Sequence, residues 1–185
     1  MEQKVDLSQY KNALSRKNQM VRLLWAVVWT VFARPLPRSV GSGWKRLLLR
    51  MFGAKIDKTA VVYSSAKVYY PANLTMGSYS CLDSGVNCYN VAPIVIGSNT
   101  TISQGAFLCT ASHDSTDPAN HRITAPIIIE DAVWVAAEAF VTMGVTIHEG
   151  AVGGSRACFF KDVEPWTVVG GNPAKKLKDR IIKEK

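Results

Sequence analysis

The chain has 185 residues, 48% of them hydrophobic and 19% charged, which is the length and composition of one folded domain and excludes a disordered chain. Its net charge of +8 lies at the two ends: residues 1–55 carry eleven basic and two acidic side chains, residues 56–160 carry four and eight, and residues 161–185 carry seven and four. Nucleic-acid binders more often carry a basic stripe on the folded middle. This distribution therefore favours a phosphate-bearing small molecule or an anionic membrane surface over nucleic acid.

The first part of the chain, residues 1–55, is predicted to be a helical extension. It has no cleavable signal pattern, which favours a cytoplasmic location. Its apolar run, residues 20–33, contains Arg22 and is too short to span a bilayer comfortably. A following amphipathic helix is predicted from apolar residues at helical spacing, with basic residues off that face. The apolar set is Trp44, Leu47, Leu48, Met51 and Phe52, and the basic set is Lys45, Arg46 and Arg50.

Two roles for this extension stay open. It can be a helical cap over the first repeat of the fold, which any stacked repeat structure needs. It can instead attach the protein peripherally to an anionic membrane surface, at the inner face of the membrane, because basic residues beside Trp and Leu suit that surface as well.

From Ile56 to Val163 the sequence repeats with a period of six. One position of each hexad is aliphatic in twelve of fifteen cases, and the position four residues later is Ser, Thr, Ala or Val in fourteen of fifteen. An α-helix cannot meet this pattern, because its faces rotate out of phase within two repeats, whereas short stacked strands joined by tight turns can. The large inward positions are predicted at Ile56, Val62, Val68, Leu74, Ser80, Val86, Ile96, Ile102, Leu108, Ile129, Val135, Val141, Ile147, Gly153 and Phe159.

These hexads resemble those of the hexapeptide-repeat acyltransferases, over residues 56–178. The resemblance implies a mainly β fold, a left-handed parallel β-helix of about five coils over residues 56–170. It would follow the N-terminal helical segment and precede a basic tail, residues 171–185, with a short C-terminal helix. The family resemblance also implies a homotrimer with its sites between subunits.

The repeat breaks twice, with four extra residues around 92–95 and fifteen in a loop at 114–128. Insertions in a solenoid project as loops and commonly line a binding site. His113 stands at the start of the longer loop, and a neutral imidazole with a pKa near ~6.5 can accept a proton from a hydroxyl. The segment LCTASHD resembles the catalytic-histidine segment of galactoside, maltose and colanic-acid type sugar O-acetyltransferases. That resemblance implies that His113 is the general base.

The chain from Asp131 onward resembles the acetyl-CoA-binding half of the family. The resemblance implies that the Ala137 amide polarises the thioester carbonyl and that the Ser155 amide binds the pantetheine arm. The tail lysines would meet the phosphates of coenzyme A, since they supply the opposite charge. The remaining cofactor contacts that the resemblance implies are Trp134, Lys161, Pro173, Lys175 and Lys178. Gly153 departs from the pattern, because it replaces the usual aliphatic residue.

Acceptor contacts are less clear in the sequence. The galactoside and maltose enzymes have an Asn-aromatic-Asn segment that binds the acceptor, and the equivalent segment here is Cys88-Tyr89-Asn90. Tyr89, Asn90 and Asp114 are the candidate substrate-binding residues, although the first Asn of the pattern is missing. Asn90 is also the single exception at the small hexad position.

These features predict an acetyl-CoA-dependent O-acetyltransferase that acts on a saccharide hydroxyl in exopolysaccharide or cell-surface glycan biosynthesis. An N-acetyltransferase of an amino sugar or an antibiotic acetyltransferase would use the same parts. A β-helix metal hydratase would need His113, His121 and His148 to converge on zinc, and a non-catalytic scaffold would leave His113 without a role. No metal is expected, because the four cysteines form no C-x-x-C pair and lie near no zinc-finger histidine.

Overall fold

In a computed structural model of the protein, residues 5–37 and 41–184 are described, and residues 1–4, 38–40 and 185 are not. The helices are α1, Arg16–Phe32, and α2, Ser42–Met51, with 3-10 turns at Leu7–Gln9 and Pro71–Asn73. The strands are β1 Lys55–Ile56, β2 Val61–Val62, β3 Lys67–Val68, β4 Leu74–Met76, β5 Cys81–Leu82, β6 Asn87–Tyr89, β7 Ile94–Ile96, β8 Thr101–Ile102, β9 Phe107–Cys109, β10 Ala111–His113, β11 Arg122–Thr124, β12 Ile127–Ile129, β13 Trp134–Val135, β14 Phe140–Thr142, β15 Thr146–Ile147, β16 Val152–Gly153, β17 Cys158–Phe159, β18 Thr167–Gly170 and β19 Lys175–Asp179.

The strands form a triangular parallel β-helix with three sides. Side A stacks β1, β4, β7, β12 and β15; side B stacks β2, β5, β8, β13, β16 and β18; side C stacks β3, β6, β9, β14 and β17. Each side therefore receives one strand from every turn of the chain, which makes five complete coils. A bridge between Ile147 and Val163, together with β18, adds a partial sixth. The mainly β solenoid predicted from the hexads is confirmed, with slightly more than the expected five coils.

The strand register corrects the repeat between residues 74 and 90. β1 pairs with β4 as Ile56 with Met76, so the first coil has twenty residues rather than the eighteen of three hexads. The two extra residues lie at the Pro71–Asn73 turn. They move the large inward positions from Leu74, Ser80 and Val86 to Met76, Leu82 and Cys88. Both sets are buried, because side chains alternate along a strand and a slip of two residues leaves the same face inward.

The N-terminal helices cover the open end of the first coil. In a parallel ladder every second residue turns its backbone groups away from the neighbouring strand, so the first coil has a row of carbonyls without a strand partner. Side chains of α1 and α2 donate hydrogen bonds to this row. The donors and acceptors are Trp25 to Val68 at 2.7 Å, Trp29 to Ser64 at 3.2 Å, Arg46 to Ala60 at 3.0 Å, and Arg50 to Ile56 at 2.9 Å.

The buried face of α2 differs from the face that the sequence suggested. Leu48, Leu49 and Lys45 are buried, whereas Trp44 and Met51 are exposed. The Lys45 ammonium reaches the Ser64 hydroxyl at 3.0 Å, and burial lowers the pKa of Lys45. The prediction that basic residues avoid the inner face is therefore wrong, because the Lys45 ammonium finds acceptors there, the Ser64 hydroxyl and the Pro37 carbonyl.

The C-terminal tail also departs from the prediction. The short helix expected there is wrong, because Lys175–Asp179 forms β19, antiparallel to β18 on side B. The strand pairs with the last edge of that side and so satisfies backbone groups that a helix would leave open. Arg180, directly after β19, donates to the carbonyls of Ala132 and Gly150 at 2.7 and 2.8 Å and so fastens the tail across two coils.

The described residues contain no disulfide, and all four cysteines are unbridged. Neither helix in that part of the chain has the length and hydropathy needed to cross a membrane.

Candidate active site

His113 lies on a hairpin that projects from the β-helix. β10 and β11 pair antiparallel, with His113 opposite Arg122, and the residues between the two strands form the tip. The hairpin leaves the helix after β9 on side C and the chain resumes at β12 on side A. The loop predicted at 114–128 is therefore an ordered projection at the edge between sides C and A, and His113 is exposed on it.

A backbone carbonyl fixes the chemistry of the His113 ring. The Nδ1 atom of His113 lies 2.6 Å from the carbonyl oxygen of Asn120. A carbonyl can only accept, so Nδ1 carries the proton and the neutral ring keeps Nε2 as a free acceptor. This tautomer is the one that a general base acting through Nε2 requires.

Asp114 serves the hairpin turn instead of the imidazole. Its carboxylate accepts hydrogen bonds from the Thr116 amide at 2.9 Å and from the Thr116 hydroxyl at 2.6 Å. These bonds hold the pKa of Asp114 below its ordinary value. The carboxylate of Asp117 likewise accepts a hydrogen bond from the His121 amide and contacts Nδ1 of the His121 ring. Neither acid of the loop is paired with His113.

Tyr10 lies beside the two loop imidazoles. Its ring centroid is 6.0 Å from those of His113 and His121, and the Asp6 amide donates to the Pro118 carbonyl at 2.9 Å. The N-terminal segment therefore packs along the hairpin that carries His113. No pattern in the sequence signals this contact, because about a hundred residues separate Tyr10 from the hairpin.

Tyr89, on β6, and Asn90, directly after it, are both candidate acceptor contacts, and only Tyr89 is accessible. Tyr89 is half-buried on side C, with its ring centroid 4.7 Å from that of Tyr69, and burial raises the pKa of the Tyr89 hydroxyl. Asn90 is completely buried, and its amide group bonds both the amide and the carbonyl of Tyr70, at 3.0 and 2.7 Å. The assignment of Asn90 as an acceptor contact is therefore corrected: its side chain faces the core and pairs adjacent coils.

Ala137 and Ser155 occupy equivalent turns in consecutive coils. Val135 pairs with Gly153 between β13 and β16, so Ala137 and Ser155 each follow at the same distance on the turns that lead from side B to side C. The Arg156 amide donates to the Ala137 carbonyl at 2.9 Å and locks the two turns together.

The amides at these two turns alternate between bonded and free. The amides of Ala136 and Glu138 donate to carbonyls of adjacent coils, whereas the Ala137 amide has no acceptor among the described residues. The Ser155 amide is likewise free in that part of the chain, although both of its neighbours donate. Two free N–H groups stacked along one edge provide donors at the spacing of adjacent coils, about 4.8 Å. Free N–H groups of this kind can donate to carbonyl oxygens of a bound ligand.

The remaining cofactor candidates lie on or beside the C-terminal coils of the β-helix. Trp134 is about half exposed on β13, and its indole N–H donates to the Ser103 hydroxyl at 2.8 Å. Lys161, Pro173 and Lys175 line one cavity of about 330 Å³ beside the last coil. Lys178 does not line that cavity, because it lies on β19 opposite Val168.

One chain does not bring the two halves of the predicted site together. Ala137 lies on the edge between sides B and C, and His113 projects from the edge between sides C and A. The sequence suggested both halves but could not give their separation, because it does not show which corner of the triangle each turn occupies.

The comparisons with known proteins identify the family. No family model matches the chain. The putative colanic acid biosynthesis acetyltransferase WcaF of Escherichia coli K12 is 41% identical over 164 residues, 89% of each protein. The chain belongs to the hexapeptide-repeat acetyltransferase family. The hexapeptide-repeat acetyltransferase VCA0836 of Vibrio cholerae, solved with acetyl coenzyme A, is 26% identical with a TM-score of 0.80 and covers 92% of this chain and 93% of its own.

A second solved structure supports the fold alone. A maltose O-acetyltransferase from Clostridium difficile 630 is 22% identical with a TM-score of 0.79, over 91% of this chain and 90% of its own. Family membership makes the present protein an acyltransferase, and its fold is the left-handed parallel β-helix. The VCA0836 structure holds acetyl coenzyme A.

The histidines of this acetyltransferase do not converge on a metal position. Within residues 5–37 and 41–184 no three His, Cys, Asp or Glu side chains are grouped as metal ligands. His148 pairs with Glu130 at 3.2 Å, whereas His113 and His121 lie on the hairpin.

Proposed function

We propose that this acetyltransferase transfers the acetyl group of acetyl-CoA to a saccharide hydroxyl, with His113 as the general base. The observation that carries the proposal is the 2.6 Å contact between His113 Nδ1 and the Asn120 carbonyl, which leaves Nε2 as the proton acceptor. Support for a saccharide comes from the similarity to WcaF, a putative acetyltransferase of colanic acid biosynthesis. We place the reaction in the synthesis of an extracellular or cell-surface polysaccharide for the same reason.

The proposed reaction is a direct attack without an acyl-enzyme. The acceptor hydroxyl gives its proton to Nε2 as its oxygen forms a bond to the thioester carbonyl carbon. The carbonyl oxygen then carries the negative charge, which the free Ala137 amide is suited to stabilise. The carbon–sulfur bond breaks, and the imidazolium returns the proton to the leaving sulfur, which releases coenzyme A and the acetylated sugar.

We also propose that the active enzyme is a homotrimer with a site between each pair of subunits. His113 and Ala137 lie on different edges of one β-helix, and a neighbouring subunit packed against side C can bring one subunit's hairpin to another's acetyl-CoA edge. Light scattering after size exclusion should give three times the 20.3 kDa chain mass. A monomer with full activity would contradict this arrangement.

The test of the reaction is acetyl-CoA turnover against a panel of mono- and oligosaccharides, followed by location of the modified hydroxyl. The His113→Ala variant should lower kcat by roughly 10²- to 10⁴-fold and leave the affinity for coenzyme A unchanged. The matched control is His148→Ala, which removes an imidazole on a later coil. Full turnover by His113→Ala, or transfer to amino groups alone, would refute the O-acetyltransferase mechanism.

A second observation supports the peripheral membrane role, at the cytoplasmic face. The side of α1 that points away from the β-helix carries Met20, Leu23, Leu24, Val27 and Val31, which are between 52% and 71% exposed. A helix that is apolar on both faces is usually covered on both faces. No acidic residue occurs between residues 7 and 55, so an anionic lipid surface is the complementary partner.

Flotation with vesicles tests this role. The whole protein should float with phosphatidylglycerol-containing vesicles and not with pure phosphatidylcholine, and Val27→Glu should abolish flotation without loss of activity on a soluble acceptor. Ile181→Glu changes an exposed apolar residue of the tail and serves as the control. Equal flotation of Val27→Glu and the wild type would remove the membrane role.

A further inference from the structure

Arg122 carries an unsatisfied buried donor beside the proposed base. Among the described residues, its Nη1 atom is the one buried side-chain nitrogen or oxygen without a hydrogen-bond partner. None of the ion pairs in that part of the chain involves Arg122. A guanidinium stays charged at all physiological pH values, and burying one of its N–H groups without an acceptor is unfavourable. The Arg122 guanidinium is therefore left without an acceptor from the described part of this chain.

The hairpin register directs this donor toward the reacting group. Arg122 stands directly opposite His113 in the pairing of β10 with β11. Directly opposite residues of an antiparallel pair project from the same face, with their Cβ atoms about 4.5–5.5 Å apart. A ligand whose hydroxyl meets the His113 ring thus presents its neighbouring substituents to the guanidinium.

Arg122 also lies near the aromatic residues of side C. Burial is the main cause of the raised pKa of Tyr89, and the positive charge of Arg122 acts on that pKa in the opposite direction. Tyr89 packs against Tyr69, and the guanidinium of Arg22 lies 4.3 Å from the centre of the Tyr69 ring. Tyr89 and Tyr69 therefore form an aromatic surface on side C that reaches Arg22 of α1.

A groove next to these tyrosines is lined by side chains with the same positive charge as Arg122. It lies between α1 and side C, has a volume of about 570 Å³, and includes Tyr69 in its wall. Three cations line it and no acid does: Arg22, Arg34 and Lys67. Residues 56–160 have only four basic side chains against eight acidic ones. Two of the four, Lys67 and Arg122, lie on this side and create a local positive potential in an otherwise acidic segment.

We infer that the acceptor is an acidic saccharide and that Arg122 binds its negatively charged group next to the hydroxyl that is acetylated. This inference rests on the proposed function and names its substrate class. The planar fork of a guanidinium matches the two oxygens of a carboxylate or a phosphate, which a neutral hydroxyl does not. The acidic group can be a ring carboxylate or a phosphate at the reducing end, and both share the chemistry that Arg122 recognises.

The experiment compares acceptors that differ only in charge. Initial rates are measured with methyl glucoside, with methyl glucuronide, and with glucose 1-phosphate, at fixed acetyl-CoA. The wild type should prefer at least one acidic acceptor over methyl glucoside by roughly 10- to 100-fold in kcat/KM, chiefly through KM. Preference for the glucuronide alone indicates a ring carboxylate, and preference for the phosphate alone indicates a phosphorylated end.

The variants Arg122→Gln and Arg122→Lys separate recognition from structure. The glutamine variant should reduce the acidic-to-neutral ratio of kcat/KM to near one while leaving the rate with methyl glucoside within a few fold, and the lysine variant should restore part of the ratio. Lys58→Gln removes a distant exposed charge and should change neither value.

Three outcomes would overturn the inference alone, and a fourth would overturn the proposed function. Turnover of sugars with no charge preference would refute it while the proposed function stands, whereas no transfer to any saccharide would refute the proposed function itself. An equal loss with acidic and neutral acceptors in Arg122→Gln, or a change in its subunit number, would show that the guanidinium pairs with protein instead of acceptor.

Discussion

A glycine and a phenylalanine in the last coils make the sharpest test of the packing. Gly153 occupies a large inward position, where the hexad pattern calls for an aliphatic side chain. A Cβ atom added there would overlap the Cζ atom of Phe159 and lie 3.0 Å from both of its ε carbons. Phe159 is only 1% exposed, so its ring cannot swing out to make room. The departure from the pattern at Gly153 is thus compensated by the large ring of Phe159.

The variant Gly153→Ala should therefore lower the free energy of unfolding by about 1–3 kcal/mol, the usual cost of overpacking a core. For a chain of this size that corresponds to a decrease in Tm of about 2–12 °C. Phe159→Leu alone should also destabilise, because it leaves a void. In the double variant the alanine methyl fills part of that void. Its loss of unfolding free energy should therefore be smaller, by at least about 1 kcal/mol, than the sum of the losses in the two single variants.

Urea unfolding followed by circular dichroism measures these values, at one protein concentration and without acetyl-CoA, because ligands and subunit association shift apparent stability. Gly43→Ala is the matched control: in α2 the added Cβ meets only Arg46 Nη2, at 3.9 Å, which is an ordinary van der Waals contact, and the variant should be more stable by about 0.5–1 kcal/mol. Unchanged stability of Gly153→Ala, or strictly additive losses in the double variant, would refute the reasoning.

Two further predictions concern buried hydrogen bonds. Asn90→Leu removes the acceptor of the Tyr70 amide and one of the two donors to the Tyr70 carbonyl, which keeps its bond from the Asn73 backbone amide. Urea unfolding should therefore show a loss of about 1–3 kcal/mol, and the KM for the acceptor should not change. An increased KM at native stability would restore Asn90 to the acceptor site. Trp25→Phe keeps an aromatic ring but removes the N–H that donates to the Val68 carbonyl of the first coil at 2.7 Å. The same assay should therefore show a loss of about 1–2 kcal/mol in unfolding free energy. Wild-type stability would mean that the cap does not depend on this bond.

The candidate base carries a chemical signature that is visible in the sequence. His113 stands at the longest break of the repeat, and its residue type suits proton transfer, so the sequence singles it out. Its partner could not be found in the same way, because the Asn120 group that orients the ring is a backbone carbonyl and every residue has one. Asn90 was misassigned because an amide that binds a sugar and an amide that bridges two coils look identical in a sequence.

The period of six by itself determined the stacked parallel strands, because no helix can keep one large and one small residue inward at that spacing. The tertiary structure decided the register between residues 74 and 90, since side chains alternate and a slip of two residues preserves the hydrophobic pattern. It also decided that Lys45 lies on the inner face of α2, because folding brings the Ser64 hydroxyl and the Pro37 carbonyl within reach of its ammonium group. Arg122 became notable only once its Nη1 atom lay buried without a partner across the hairpin from His113, a property of three-dimensional surroundings that residue type does not encode.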